Sequence, residues 1–238
     1  MKIMLTGHRG FVGSALLTRL KKNHQVIGID LKDGWDRDQL NNSQDLTSCD
    51  FKEEFDLIVH LAGKSGVRES LEDPAGYWYN NVEASRRLFE RYGENTRILY
   101  ASSSSAYEPD LNPYAASKYI MEELAERFNS GNMLGMRFHT IYSDNCPREN
   151  MFFNKLRNGT LEYVNGIIDI GTGDPIKVQN LAPNLPVRLN TTGEREWTCA
   201  NTEKLKSLGW KPKYSVEKFL TNNNLGNIIN LFNGETVE

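Results

Sequence analysis

The run Lys2-Ile3-Met4-Leu5, followed at once by Thr6-Gly7-His8-Arg9-Gly10-Phe11-Val12-Gly13, constrains the fold more than any other stretch. The apolar run reads as a short buried strand. Ser14 to Lys22 then carries Leu16, Leu17 and Leu20 at helical spacing. The order is strand, glycine turn, helix. Glycines permit a tight turn and close backbone approach, and a helix N-terminus offers free N–H groups to a pyrophosphate. A glycine turn without a ligand is the competing reading, but the flanks are those a dinucleotide-binding unit requires.

A second strand, Gln25-Val26-Ile27-Gly28-Ile29, ends at Asp30, 17 residues after Gly13. An acidic side chain there suits a ribose diol and would repel a 2′-phosphate, so NAD is favoured over NADP. Leu57 to Leu61 is an almost continuous apolar run, as expected of a strand buried on both faces, and His60 within it reads as a packed core histidine. Ile98-Leu99-Tyr100-Ala101 is a further buried strand that delivers Ser102 to Ser105 at its carboxyl end. Ligands of open α/β sheets bind at such ends, although a serine run can also be a plain polar loop.

The serines lead through a turn containing Pro109 and Pro113 into a helix that carries Tyr114 and Lys118. Positions i and i+4 share a helix face. A free tyrosine, with a pKa of about 10, is a poor base at neutral pH. A nearby ammonium favours the phenolate, so Tyr-x-x-x-Lys is a tunable acid/base, with a serine hydroxyl available for the same substrate oxygen. A solvated lysine beside a half-buried tyrosine gives the same pattern, so the pair gains meaning only from the rest of the chain. Leu134 to Phe138 reads as another strand, Asp144 to Asn150 as a loop and Met151 to Leu156 as a helix.

Composition narrows the class. With 238 residues, 39% hydrophobic and 25% charged, the chain is one large domain or one domain with a small appendage. A net charge of −3 gives no reason to expect nucleic acid or an anionic membrane as partner. No apolar run approaches the roughly 18 residues of a membrane span, and the N-terminus reads as strand and turn rather than signal peptide. Cys49, Cys146 and Cys199 are odd in number, widely spaced and without metal-ligand spacing, which predicts reduced thiols, no metal and a cytoplasmic location.

Gly7, Gly10 and Gly13 form G-x-x-G-x-x-G, and with Tyr114-x-x-x-Lys118 this resembles the extended short-chain dehydrogenase/reductase family, the nucleotide-sugar epimerases and dehydratases. Asp45-Leu46 resembles the family's adenine-contacting pair, Leu61-Ala62-Gly63 its cofactor-facing turn, and Asn80-Asn81-Val82 the asparagine-valine pair that opens a helix. Gly166 to Gly173 resembles the strand before the C-terminal domain, and Glu194 to Pro212 the closing helix and turn. The resemblance implies an α/β fold, a Rossmann-type doubly wound parallel sheet with a small, reduced C-terminal substrate domain. Residues 1–140 would bind NAD, with 166–172 returning to the sheet, while 141–165 and 173–238 would form the substrate domain. Relatives pair through two long helices per subunit, so Pro74 to Tyr92 and Tyr114 to Phe128 would support a homodimer, although Tyr77, Leu88, Phe89, Leu124 and Phe128 could equally be core.

Within the family, residues after the active-site serine sort the reactions. Ser103 takes that position, and Ser104 and Ser105 follow where dehydratases carry an Asp-Glu pair. What remains is oxidation and re-reduction at one carbinol, as in 4-epimerases acting on UDP-sugars. Ser103, Tyr114 and Lys118 would be catalytic. Gly7, Gly10, Phe11, Val12, Gly13, Asp30, Asp45, Leu46, Leu61, Ala62 and Gly63 would join Tyr114 and Lys118 around NAD. Ser103, Ser104, Ser105, Thr140 and Arg148 would face the nucleotide-sugar. Residues 66–74 and Arg148-Glu149-Asn150-Met151 look most like the UDP-glucuronate 4-epimerase branch. Arg148 could grip a carboxylate, sit on a phosphate or be a solvated loop arginine; Arg68 reads as a structural ion-pair partner of Glu69, Glu72 or Asp73. A reductase or dehydrogenase of the same family, or a non-catalytic NAD sensor, are the other readings.

Two departures from the family stand out. Tyr107 and Tyr114 lie only seven residues apart, a shorter loop than in relatives. The chain also passes directly from Val164 to Asn165, where relatives carry a block whose arginine clamps the UDP diphosphate. A disordered segment omitted from the given sequence would explain this and raise the intact mass well above 27.1 kDa; a trimmed enzyme would not.

Overall fold

Each apolar run read from the sequence becomes one strand of a parallel sheet, because each alternates between two covered faces. The computed structural model describes residues 1–31, 45–139, 141 and 199–211, together with the backbone of 41–43 and 166–170. The strands are β1 (Lys2–Thr6), β2 (Gln25–Asp30), β3 (Asn41–Ser43), β4 (Leu57–His60), β5 (Arg97–Ser103), β6 (Met133–Phe138) and β7 (Gly166–Ile170). They lie in the order β3-β2-β1-β4-β5-β6-β7, with every neighbouring pair parallel. The chain runs outward from β1 to β3, then resumes with β4 on the other side. That reversal opens a crevice beyond the carboxyl ends of β1 and β4. The doubly wound sheet expected from the sequence is present, and β7 returns to its edge beside β6.

Alternation along the strands divides the core. Ile3, Leu5, Leu57, Val59 and Leu99 pack with Leu16 and Leu20 of helix α1 (Phe11–Leu20) and with Leu205 and Trp210. Met4, Ile58, Ile98 and Tyr100 pack on the other face with Leu88, Phe89 and Tyr92 and with Met121 and Ala125. Remaining helices are α2 (Val67–Glu72), α3 (Pro74–Tyr77), α4 (Ala84–Tyr92), α5 (Pro113–Phe128) and α6 (Glu203–Ser207). A π-helical segment, Trp78–Glu83, joins α3 to α4.

Three local readings change. Helix α1 starts at Phe11 rather than Ser14, because the Ser14 N–H already donates to the Gly10 carbonyl at 2.9 Å and the turn runs straight into the helix. Asn80-Asn81-Val82 does not open a helix. It lies in the π segment, and the helix opens at Pro74, where the Asp73 carboxylate accepts from Gly76 N–H at 2.9 Å. Within Glu194 to Pro212 the described helix is the short α6, closed by Gly209 at φ 76°. Helix α5 has a cap that the sequence reading passed over: Asn112 accepts from Ala115 N–H at 2.8 Å, directly before Pro113.

Candidate active site

The crevice is built where two turns touch. Gly7 sits at φ 70°, and a Cβ there would lie 2.7 Å from the Ala62 nitrogen, so only glycine lets the first turn rest against Leu61-Ala62. Gly10 N–H donates to the Gly7 carbonyl at 3.0 Å, and Gly13 is buried beneath it. Phe11 stands half-exposed at the N-terminus of α1 and Val12 packs inward. At the end of β2 the Asp30 carboxylate accepts from Arg9 N–H at 2.9 Å, which ties it to the glycine turn. A side-chain-free cradle at a helix N-terminus, with a carboxylate beside it, fits a dinucleotide with an unphosphorylated ribose.

Asp45 and Leu46 have separate duties. The Asp45 carboxylate accepts from Thr47 N–H at 2.8 Å and from the Thr47 hydroxyl at 2.6 Å, while Leu46 is buried in the second core cluster. The Thr47 hydroxyl also meets the Tyr79 hydroxyl, so this turn lies against the π segment.

Leu61, Ala62 and Gly63 follow β4. Leu61 packs on one core and Ala62 on the other. Ala62 N–H donates to the Thr6 hydroxyl at 3.1 Å. Gly63 has φ 155°, and a Cβ there would lie 2.9 Å from Asn81 Oδ1 and 3.4 Å from Lys118 Nζ. The glycine turn, the 61–63 turn and Lys118 are therefore contiguous.

Ser103 ends β5, and its hydroxyl accepts from Ser105 N–H at 3.1 Å. The same hydroxyl neighbours the Tyr114 phenol. Burial pushes the Tyr114 phenol above its usual range, and the Ser103 hydroxyl pulls it back. Lys118 is only 6% exposed and donates to the Ala101 carbonyl at 2.8 Å. Burial brings its ammonium down to about 8, with the Glu122 carboxylate opposing. At Tyr114 desolvation is the larger influence, and Ser103 opposes it. Ser104 and Ser105 lie, partly exposed, in a 3-10 turn (Ser104–Tyr107). Thr140, Arg148 and the Val164–Asn165 junction lie outside the described residues. Asp73 pairs with Lys64 at 2.6 Å, and Arg68 lies on α2.

Several residues that the sequence did not place in the site complete the surroundings. Asn81, fully buried, accepts from Lys64 N–H at 2.7 Å and donates to the Lys64 carbonyl at 3.0 Å and to Ser117 Oγ at 2.9 Å. It thus clamps the chain after Gly63 to the residue beside Lys118. Tyr77 sets its ring edge-on to Tyr114, with centroids 6.1 Å apart, and donates to the Ser65 carbonyl at 2.7 Å. Glu122, one turn beyond Lys118, accepts from Arg137 at 2.8 and 2.6 Å and from the Ser102 hydroxyl. The Tyr-x-x-x-Lys-x-x-x-Glu spacing was the available signal for Glu122. Asn81 had one only in its asparagine-valine pair.

Comparison with known proteins agrees with this architecture. Residues 3–175 match the profile of the NAD dependent epimerase/dehydratase family. Protein CapI of Staphylococcus aureus is 31% identical over 182 residues, covering 60% of this chain but only 54% of CapI. The structure of MoeE5 in complex with UDP-glucuronic acid and NAD overlays with a TM-score of 0.74 at 23% identity, covering 93% of this chain and 97% of that one. The UDP-glucuronic acid 4-epimerase of Bacillus cereus, in complex with UDP-glucuronic acid and NAD, overlays with a TM-score of 0.72 at 21% identity, covering 91% and 95%. At these identities the overlays establish a shared fold.

Proposed function

The chain belongs to the NAD dependent epimerase/dehydratase family, and from that premise we propose that it inverts C4 of a UDP-sugar, a hexuronate or hexose, through a transient 4-keto intermediate. The observation that carries the reading is the Ser103 hydroxyl neighbouring the Tyr114 phenol beside a buried Lys118, which itself adjoins Gly63 in the crevice. The absence of a carboxylate at Ser104 and Ser105 favours chemistry confined to one carbinol.

Phe11, Val12 and Gly13, in the first turn of α1, would hold the dinucleotide diphosphate through backbone N–H groups, with Gly7 and Gly10 keeping the turn close to it, and Asp30 the adenine-side ribose. Asp45 and Leu46 would border the adenine, and Leu61 to Gly63 with Lys118 the nicotinamide end. When bound, NAD supplies the reversible hydride acceptor for the carbon being inverted. Tyr114 Oη, as phenolate, takes the proton of the sugar 4-hydroxyl and as phenol later returns it, while the Ser103 hydroxyl bonds the same oxygen and keeps it in reach. Lys118 holds a positive charge beside the reacting groups without spending it on a carboxylate. Ser104 and Ser105, with Thr140 and Arg148, would complete the substrate side, and Arg148 suits a uronate carboxylate. The CapI match spans about half of that relative, and MoeE5 and the Bacillus cereus enzyme carry UDP-glucuronic acid in their own structures. These support a UDP-sugar, with glucuronate first to be tried.

The test incubates purified protein with NAD and UDP-glucuronate, following UDP-galacturonate and absorbance at 340 nm together. Epimer without lasting NADH is the expected result. Accumulating NADH without epimer would instead make the protein a dehydrogenase of the same family. Bound NAD with neither product, across UDP-glucose and other nucleotide sugars, would leave a cofactor sensor.

A further inference from the structure

An unbroken buried hydrogen-bond chain runs from the first turn of the crevice to the π segment, and its middle member is His60. The register pairs Thr6 with His60 across β1 and β4. Thr6 Oγ1 lies 2.7 Å from His60 Nδ1, and His60 Nε2 lies 2.9 Å from Ser85 Oγ. The Ser85 hydroxyl donates to the Asn81 carbonyl at 2.6 Å. At the other end Thr6 Oγ1 accepts from Ala62 N–H at 3.1 Å. Thr6, His60, Ser85 and Asn81 are each at most 1% exposed, so no solvent substitutes for a lost partner.

Counting donors assigns every proton. A carbonyl only accepts, so the one Ser85 O–H is committed to Asn81, and Ser85 Oγ must accept from His60 Nε2–H. His60 Nδ1 is then the bare nitrogen and accepts from the Thr6 O–H. A second ring proton would face the Thr6 hydroxyl, already an acceptor for Ala62. The ring would also become a cation close to Lys118. Burial together with Lys118 drives the imidazole down to about 3, in keeping with this neutral wiring.

We propose that His60, held as the neutral Nε2–H tautomer, is a positioning residue that couples the cofactor-facing turn at Ala62-Gly63 to Asn81 and thereby to helix α5. Its Nδ1 side orients Thr6 and the turn. Its Nε2 side orients Ser85 and, through the Asn81 main-chain carbonyl, the π segment, from which the Asn81 side-chain amide grips both Lys64 and Ser117. The consequence for NAD rests on the proposed role of that turn; the wiring itself does not.

Two measurements on the full chain test it. Nitrogen-15 NMR of the imidazoles should show His60 protonated at Nε2 alone and unchanged between about pH 5 and pH 8. A proton on Nδ1, or a titration in that range, overturns the wiring whether or not the protein binds NAD. NAD titration should then give a Kd raised about tenfold in His60→Leu, which strands two buried partners, Thr6 and Ser85. His60→Asn and His60→Gln, which each replace one ring nitrogen's bond, should recover part of it. Thr6→Val should weaken NAD to a similar degree, and its combination with His60→Leu should be far from additive. Lost stability with an unchanged NAD Kd in these variants would reduce His60 to a packing residue and overturn the proposal. No NAD binding by the unaltered protein would instead sink the cofactor reading, leaving the NMR result to judge the wiring.

Discussion

Tyr114 and Lys118 share a helix face, yet burial moves them in opposite senses: the phenol is pushed up and the ammonium down, to about 8. Each is thereby pressed towards its neutral form, and the Ser103 hydroxyl is what favours the phenolate. Tyr114→Phe should lower turnover by about 10² to 10⁴, the usual range for a positioned acid/base, with NAD affinity nearly unchanged. Turnover assays and NAD titration of the same preparation would check both halves, and an indifferent variant would favour the sensor reading. His60 offers a stability prediction. Its ring is neutral down to about pH 3 when folded, against 6.5 for an unperturbed histidine. Between those values the unfolded chain binds the extra proton, so this contribution falls as pH drops from about 6.5 towards 3. Urea unfolding of the unaltered protein should therefore lose more stability between about pH 7 and pH 4 than that of His60→Asn.

At the scale of elements, two bridges hold α5 where the crevice needs it. One is the Asn81 clamp from the π segment to Ser117 and Lys64. An inserted helical residue of this kind turns a side chain off the regular face, and such segments gather at functional sites. Asn81→Ala leaves several buried partners unsatisfied and should cost about 3 kcal/mol in denaturant unfolding. The other bridge is Glu122 to Arg137 between α5 and β6, whose side chains are 3% and 15% exposed. Removing one partner strands the other in low dielectric, so Glu122→Ala should cost about 3 kcal/mol or more. Replacing both with leucine should recover much of that loss, a comparison that calorimetry can make. Arg137 also lies over the Tyr107 ring at 4.2 Å, so the same bridge supports the 3-10 turn carrying Ser104 and Ser105.

For the whole molecule, the open matter is what covers the outer sides of α3 to α5. Tyr77, Leu88 and Phe89 are buried in the subunit, which assigns them to its own packing, while Trp78, Tyr79 and Tyr119 remain 51%, 48% and 38% exposed. Pairing of two copies through these helices is the expected arrangement. Light scattering should give about twice 27.1 kDa, and Trp78→Asp combined with Tyr119→Asp should shift the mass towards one copy. An unaltered protein that runs as a monomer at micromolar concentration would refute it. No helix among the described residues is long and apolar enough to cross a membrane.

The doubly wound sheet was legible in the sequence because its causes are local. Runs such as Leu57 to His60 are apolar without alternation, and Gly7 carries no Cβ in the one turn that must touch Leu61-Ala62. The spacing of Tyr114 and Lys118 likewise announces a shared face whatever surrounds it. Their ionisation was not legible, because desolvation depends on which elements close over them. Nor could the sequence reveal the part played by His60, which looks like any core histidine along its strand. Only the register of β1 beside β4, with the π segment and the start of α4 bringing up Asn81 and Ser85, supplies partners for both ring nitrogens. Local chemistry determined the strands, the turns and the reactive pair; long-range packing decided which protons they hold.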